Sequence, residues 1–105
     1  MSNSNVVEIV NFKLSSGFTA QDFLSSNEQM ALFLKDQKGL LYRSLCEKDD
    51  GSYVDIVYWE NMALAKQAQQ AFFESALCQE FAQCIDKESV QLEHVSVIAY
   101  QGCDG

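Results

Sequence analysis

Apolar residues along this chain change period several times, and each change marks an element. Asn5 to Leu14 (NVVEIVNFKL) is nearly continuous in Val, Ile and Phe, which predicts a central strand buried on both sides. Ser15-Ser16-Gly17 breaks it. Thr19 then offers an N-cap, with Asp22 three residues on as a short capping box and Phe18 and Phe23 at hydrophobic-staple positions. Phe23, Asn27, Met30, Ala31 and Leu34 follow as one helical stripe with Leu24 beside it, while Leu32 and Phe33 fall off it. Lys35, Lys38 and Gly39 close that helix. Leu40 to Glu47 and Ser52 to Trp59 read as two strands joined by a hairpin through Lys48-Asp49-Asp50-Gly51.

Asn61 caps a second helix with Leu64, Ala65, Ala68, Ala71 and Phe72 on one face. The next apolar set, Leu77, Cys78, Phe81, Cys84 and Ile85, lies out of phase with it. One straight helix cannot bury both stripes on one sheet. A break is therefore expected near Phe73-Glu74-Ser75, with Ser75 restarting the helix. Val90 to Tyr100 reads as the last strand and Gln101 to Gly105 as a frayed tail. Strand, helix, strand, strand, helix, strand predicts a ferredoxin-like βαββαβ domain of the α+β class. Right-handed crossovers fold it into a four-stranded antiparallel sheet with both helices on one face. Val54/Ile56 and Val57/Trp59 are apolar on opposite faces of the third strand, so the uncovered face calls for a partner, and a homodimer is expected.

At 105 residues the chain has room for one core, and a single domain over residues 1–105 with its core in 6–100 is expected. Fifteen acidic against seven basic residues give a net charge of −8, which repels nucleic acid and anionic membranes and leaves no basic patch. No apolar run is long enough to span a bilayer. The polar start, Met1 to Asn5, lacks the basic-then-apolar order of a secretory leader, so a cytoplasmic protein without disulfides is expected. Cys46, Cys78, Cys84 and Cys103 match no zinc spacing, and one histidine is available to complete a site, so no metal is expected.

Ser52 to Asp86 (SYVDIVYWENMALAKQAQQAFFESALCQEFAQCID) resembles the antibiotic biosynthesis monooxygenase type of dimeric α/β barrel, and the resemblance extends over roughly Val6 to Tyr100. It implies a homodimeric barrel and an activity among cofactor-independent oxygenases of polycyclic phenols, haem-degrading enzymes or non-catalytic relatives. The oxygenase and haem-degrading branches use an asparagine on the first strand facing the cavity between sheet and helices, and Asn11 resembles it. The haem-degrading branch also uses a histidine and a tryptophan in the second helical region. Asn61 to Asp86 contains neither, which argues against haem, and no cofactor is expected.

The resemblance thus points to a cofactor-independent monooxygenase-like protein binding a small aromatic molecule. The alternative is a non-catalytic binding or assembly module on the same barrel. Asn11 would orient a substrate oxygen or dioxygen, or serve structure by bonding backbone or water. His94, on the last strand, would accept a proton, or be a satisfied strand histidine. Trp59, Tyr58, Tyr42 and Phe72 would line the pocket, or simply fill a core, and Arg43 and Asp55 would pair across the hairpin.

Overall fold

A computed structural model of the protein describes residues 5–102; Cys103 and the end of the expected tail lie outside them. Strand β1 (Val6–Phe12) leads to helix α1 (Ala20–Lys35), the hairpin β2 (Leu40–Glu47) and β3 (Tyr53–Trp59), helix α2 (Met62–Glu74), the short helix α3 (Gln79–Gln83) and β4 (Gln91–Ser96). The sheet order is β2-β3-β1-β4, with every neighbouring pair antiparallel. This is the expected ferredoxin-like α+β fold.

The local signals act as anticipated at most boundaries. Thr19 and Asp22 form a reciprocal capping box, each side chain accepting from the other's backbone N–H at 3.1 and 2.9 Å. Gly39 adopts φ +90°, and a Cβ there would sit 2.6 Å from the Leu64 side chain, so both backbone and space require glycine. Helix α2 stops at Glu74. Ser75 is extended, and its Oγ accepts from the Leu77 N–H to cap a 3-10 turn over Ala76–Cys78 that runs into α3. The phase conflict between the two stripes is resolved at this break. Helix α2 lies over β1 and β3, while α3 packs against α1 and brings Phe81 to 4.9 Å from Phe23, centroid to centroid.

Three features differ from the pattern. On α1 the buried set is Phe23, Ser26, Met30, Phe33 and Leu34, whereas Ala31 is exposed. The helix is flanked by Phe72 of α2 and Phe81 of α3 as well as by the sheet, so its buried face is wider and turned from the expected stripe. Leu77 likewise stays largely exposed, at the break itself. Strand β4 ends at Ser96 rather than Tyr100 because its partner β1 ends opposite it, at Val6. The Val97 N–H still reaches the Asn5 carbonyl (2.9 Å), but Ile98 and Tyr100 stand 97% and 78% exposed beyond it.

Alternation along the strands divides the sheet cleanly. Tyr53, Asp55, Val57 and Trp59 are buried toward the helices, and Val54, Ile56 and Tyr58 between them are only half-buried on the other face. Phe12, Phe23, Tyr53 and Phe81 form an aromatic cluster at one end of the core, with centroids 4.9–5.8 Å apart. Burial of each such ring contributes about 1.5–3 kcal/mol relative to exposure.

Beside this cluster Arg43 crosses from the hairpin to the helices. Its Nε and Nη2 grip both oxygens of Asp55 at 2.9 and 2.8 Å, its Nη1 donates to Asn27 Oδ1 at 2.7 Å, and its guanidinium carbon lies 5.7 Å from the Phe81 ring centre. Asp55 is 6% exposed, so this pair ties β2, β3 and α1 inside the core. Removing either partner alone would strand a buried charge, which costs about 3–5 kcal/mol.

Candidate functional site

The break at Ser75 leaves a gap between α2 and α3, and the gap is a cavity. It measures about 250 Å³ and is walled almost wholly by apolar side chains from the helix-facing side of the sheet and from all three helices. The segment after α3 closes one side. The Ser15 N–H donates to the Cys84 carbonyl (2.7 Å), the Asp86 N–H to the Lys13 carbonyl (2.9 Å) and the Lys13 N–H to Ser89 Oγ (2.8 Å), which pins Ile85, Lys87 and Val90 beside the end of β1. The wall residues Phe73, Lys87, Val90 and Leu92 are exposed, so the mouth opens where edge strand β4 meets the end of α2.

One carboxylate breaks the apolar lining without an arginine or lysine against it, its partners being Trp59 and His94. Glu8 has the same parity as Val10 and Phe12 and points from the middle of β1 into the cavity. Asp55 also lines the wall, but both its oxygens are engaged by Arg43. Glu8 is held from both neighbouring strands. The Trp59 indole Nε1–H donates to Glu8 Oε1 at 3.2 Å, and His94 Nε2, directly opposite on β4, lies 3.3 Å from the same oxygen. Desolvation by the surrounding apolar wall raises the Glu8 carboxyl above the ordinary carboxylate range. The nearby His94 charge and the His94 and Trp59 hydrogen bonds pull it partly back, and Asp55 adds a small push upward. The result is a carboxylate made more basic inside a mostly apolar pocket, the setting in which carboxyl groups act as acids or bases.

The expected site residues divide between the two faces of the sheet. Trp59 and Phe72 stand on the cavity wall, and His94 stands beside Glu8. Asn11 does not face the cavity: it is an odd-numbered β1 residue among even-numbered wall residues, and its Oδ1 accepts from Lys48 Nζ on the opposite side. Tyr58 adjoins Trp59 in one strand and so must point the other way. Tyr42 pairs with Tyr58 on that same outer face, their rings 6.2 Å apart, and is itself 61% exposed. The asparagine and the two tyrosines are therefore removed from the cavity by strand alternation. Glu8, absent from the expected set, takes their place, and its signal was present as the lone charge within the apolar run Val6 to Phe12.

Among the described residues no cluster of His, Cys, Asp and Glu suits a metal ion. Cys78 and Cys84 are buried, and burial raises the Cys78 thiol, so it packs as a small hydrophobe and not as a nucleophile. No helix among them is long and apolar enough to cross a membrane.

Neither a protein-family model nor a curated protein matches this sequence. Solved structures match over almost its full length. SnoaB, a cofactor-independent oxygenase from Streptomyces nogalater, superimposes with a TM-score of 0.65 at 21% identity, covering 94% of this chain and 96% of that one. Antibiotic biosynthesis monooxygenase-type proteins from Bordetella bronchiseptica (TM-score 0.76, 19% identity, 92% and 100% covered) and Caulobacter crescentus (TM-score 0.72, 12% identity, 92% of each) share the same architecture. At these identities the likeness establishes the fold.

The raised basicity of Glu8 has a consequence for stability. The folded carboxyl keeps its proton to higher pH than the unfolded one, so the native state binds more protons between the two values. Stability then falls as pH rises through that window. His94 and Asp55 are the charged groups facing Glu8, and both remain in Glu8→Gln. Urea midpoints measured across the carboxylate range are expected to fall for wild type and to stay flatter for Glu8→Gln, which becomes the more stable form at the upper end. Parallel profiles would show that Glu8 titrates like a surface carboxylate.

Proposed function

We propose that this chain, which has the fold of antibiotic biosynthesis monooxygenase-type proteins, is a cofactor-independent monooxygenase-like protein that takes a small aromatic molecule into the cavity behind Trp59. The observation that carries the reading is one carboxylate, Glu8, free of arginine and lysine and placed on a wall that is mostly apolar. Phe72 and Trp59 supply faces for a flat ring. Glu8 removes a proton from an activated C–H or phenolic O–H, and Trp59 and His94 steady the carboxylate before and after the transfer. The dry wall keeps the resulting carbanion from immediate quenching by water. Reaction of an activated methylene with dioxygen then gives a ketone and one water, the two hydrogens leaving on the second oxygen atom.

The same reading includes a homodimer. Val7, Ile9, Val54, Ile56 and Tyr58 form an apolar strip on the helix-free face, with Tyr42 and Val95 at its margins, and a second copy is the occupant that matches it in chemistry. Sedimentation equilibrium is expected to give a dimer at micromolar concentration for wild type and a monomer for Ile56→Lys. A wild type that stays monomeric and folded would remove the barrel.

Activity is tested with anthrone, an aromatic ketone with one acidic methylene. Binding is read from the fluorescence of Trp59, the only tryptophan of the chain. Wild type is expected to consume one dioxygen per anthrone, and Glu8→Gln to bind anthrone but turn over about a hundredfold more slowly or less, the usual share of a general base. Equal turnover by both proteins would refute the role of Glu8. Binding without oxygen uptake would instead favour the non-catalytic module.

A further inference from the structure

The two groups that hold Glu8 leave it asymmetric. Trp59 Nε1 and His94 Nε2 both meet Oε1, and neither reaches Oε2. Among the described residues no hydrogen bond engages Oε2, and Glu8 stands on the cavity wall. One oxygen anchors the group and the other is free to take up and give back a proton. A single carboxylate set this way serves one face of a flat ligand. Its proton can return at the carbon it left or at a neighbouring carbon on that face, while the inner apolar side chains Val10 and Val57 exclude competing water.

We propose that the cavity carries a second, oxygen-independent activity: isomerisation of cyclic enones by proton transfer through Glu8 Oε2, with His94 and Trp59 as positioning residues on Oε1. The proposal rests on Glu8 being the base, as in the oxygenase reading, but requires neither dioxygen nor any other co-reactant. With a β,γ-unsaturated cyclohexenone, Oε2 removes a proton from the carbon between carbonyl and alkene. The C–H electron pair becomes a dienolate with its charge on the ketone oxygen. Glu8, now a neutral acid, returns the proton to the γ-carbon, the double bond moves into conjugation, and the carboxylate is regenerated. Nothing is oxidised or reduced, and the product has the composition of the substrate.

The test follows the absorbance of the conjugated product under nitrogen, with β,γ-cyclohexenone as the probe and Trp59 fluorescence reporting its binding. Wild type is expected to accelerate conjugation at least about a hundredfold over Glu8→Gln. Glu8→Asp, which keeps the acid but withdraws it by one methylene, is expected to fall between them. In deuterium oxide, part of the proton is expected to reach the γ-carbon without exchange, which a solvent-borne base would not produce. An enone that fails to bind, or a rate equal in wild type and Glu8→Gln, would overturn the proposal. Conjugation without oxygen uptake on anthrone would uphold it while the oxygenase reading fails. Oxygen uptake that depends on Glu8 but no conjugation would do the reverse.

Discussion

Side chains alternate across β1, and only one face of its sheet has helices over it. That single constraint sorts the residues of the strand into two chemistries. Glu8, Val10 and Phe12 go to the helix side, where every polar atom must find a protein partner or accept a penalty. Val7, Ile9 and Asn11 go to a face with no helix over it, where Asn11 is answered by a lysine from the hairpin. A carboxylate placed on the first face has to be supplied with donors. His94, opposite Glu8 on β4, and Trp59, two residues beyond Val57 (the residue opposite Glu8 on β3), are the groups that meet it.

The second determinant is the break after α2. Had the helix continued straight, one of its stripes would have faced water. By stopping at Ser75 the chain turns Cys78, Phe81 and Cys84 onto α1 instead, and the space that α3 vacates over the sheet becomes the cavity. The arrangement is rigid at one end, where the aromatic cluster and the Arg43–Asp55–Asn27 network knit the hairpin to α1. It is open at the other, where edge strand β4 has exposed side chains. A tight scaffold with a loose mouth suits admission of a small apolar ligand.

Much of this was legible in the residues. Capping by Thr19, the hairpin at Asp50-Gly51, and the phase shift that breaks the helix at Ser75 are local signals, and each produced the element it implied. The site was less legible. Near-continuous apolarity in β1 hid its alternation, so Asn11 drew attention as the polar residue while Glu8, three positions earlier and on the other face, did not. Placing Tyr58 beside Trp59 in one pocket also conflicts with the two-residue period of a strand. Which parity faces the helices is set by packing across the sheet, through Phe12 against Phe23 and Trp59 against Glu8, and those partners lie up to 51 residues apart in the chain.

The account stands on Glu8 being a desolvated, anchored carboxylate with one free oxygen. Carbon-13 NMR of protein labelled at the glutamate side-chain carboxyls, with the Glu8 signal assigned by its loss in Glu8→Gln, reads this group directly during a pH titration. The Glu8 resonance is expected to titrate above the ordinary glutamate value and to shift when anthrone occupies the cavity. A Glu8 signal that titrates at the ordinary glutamate value and ignores the ligand would contradict the account.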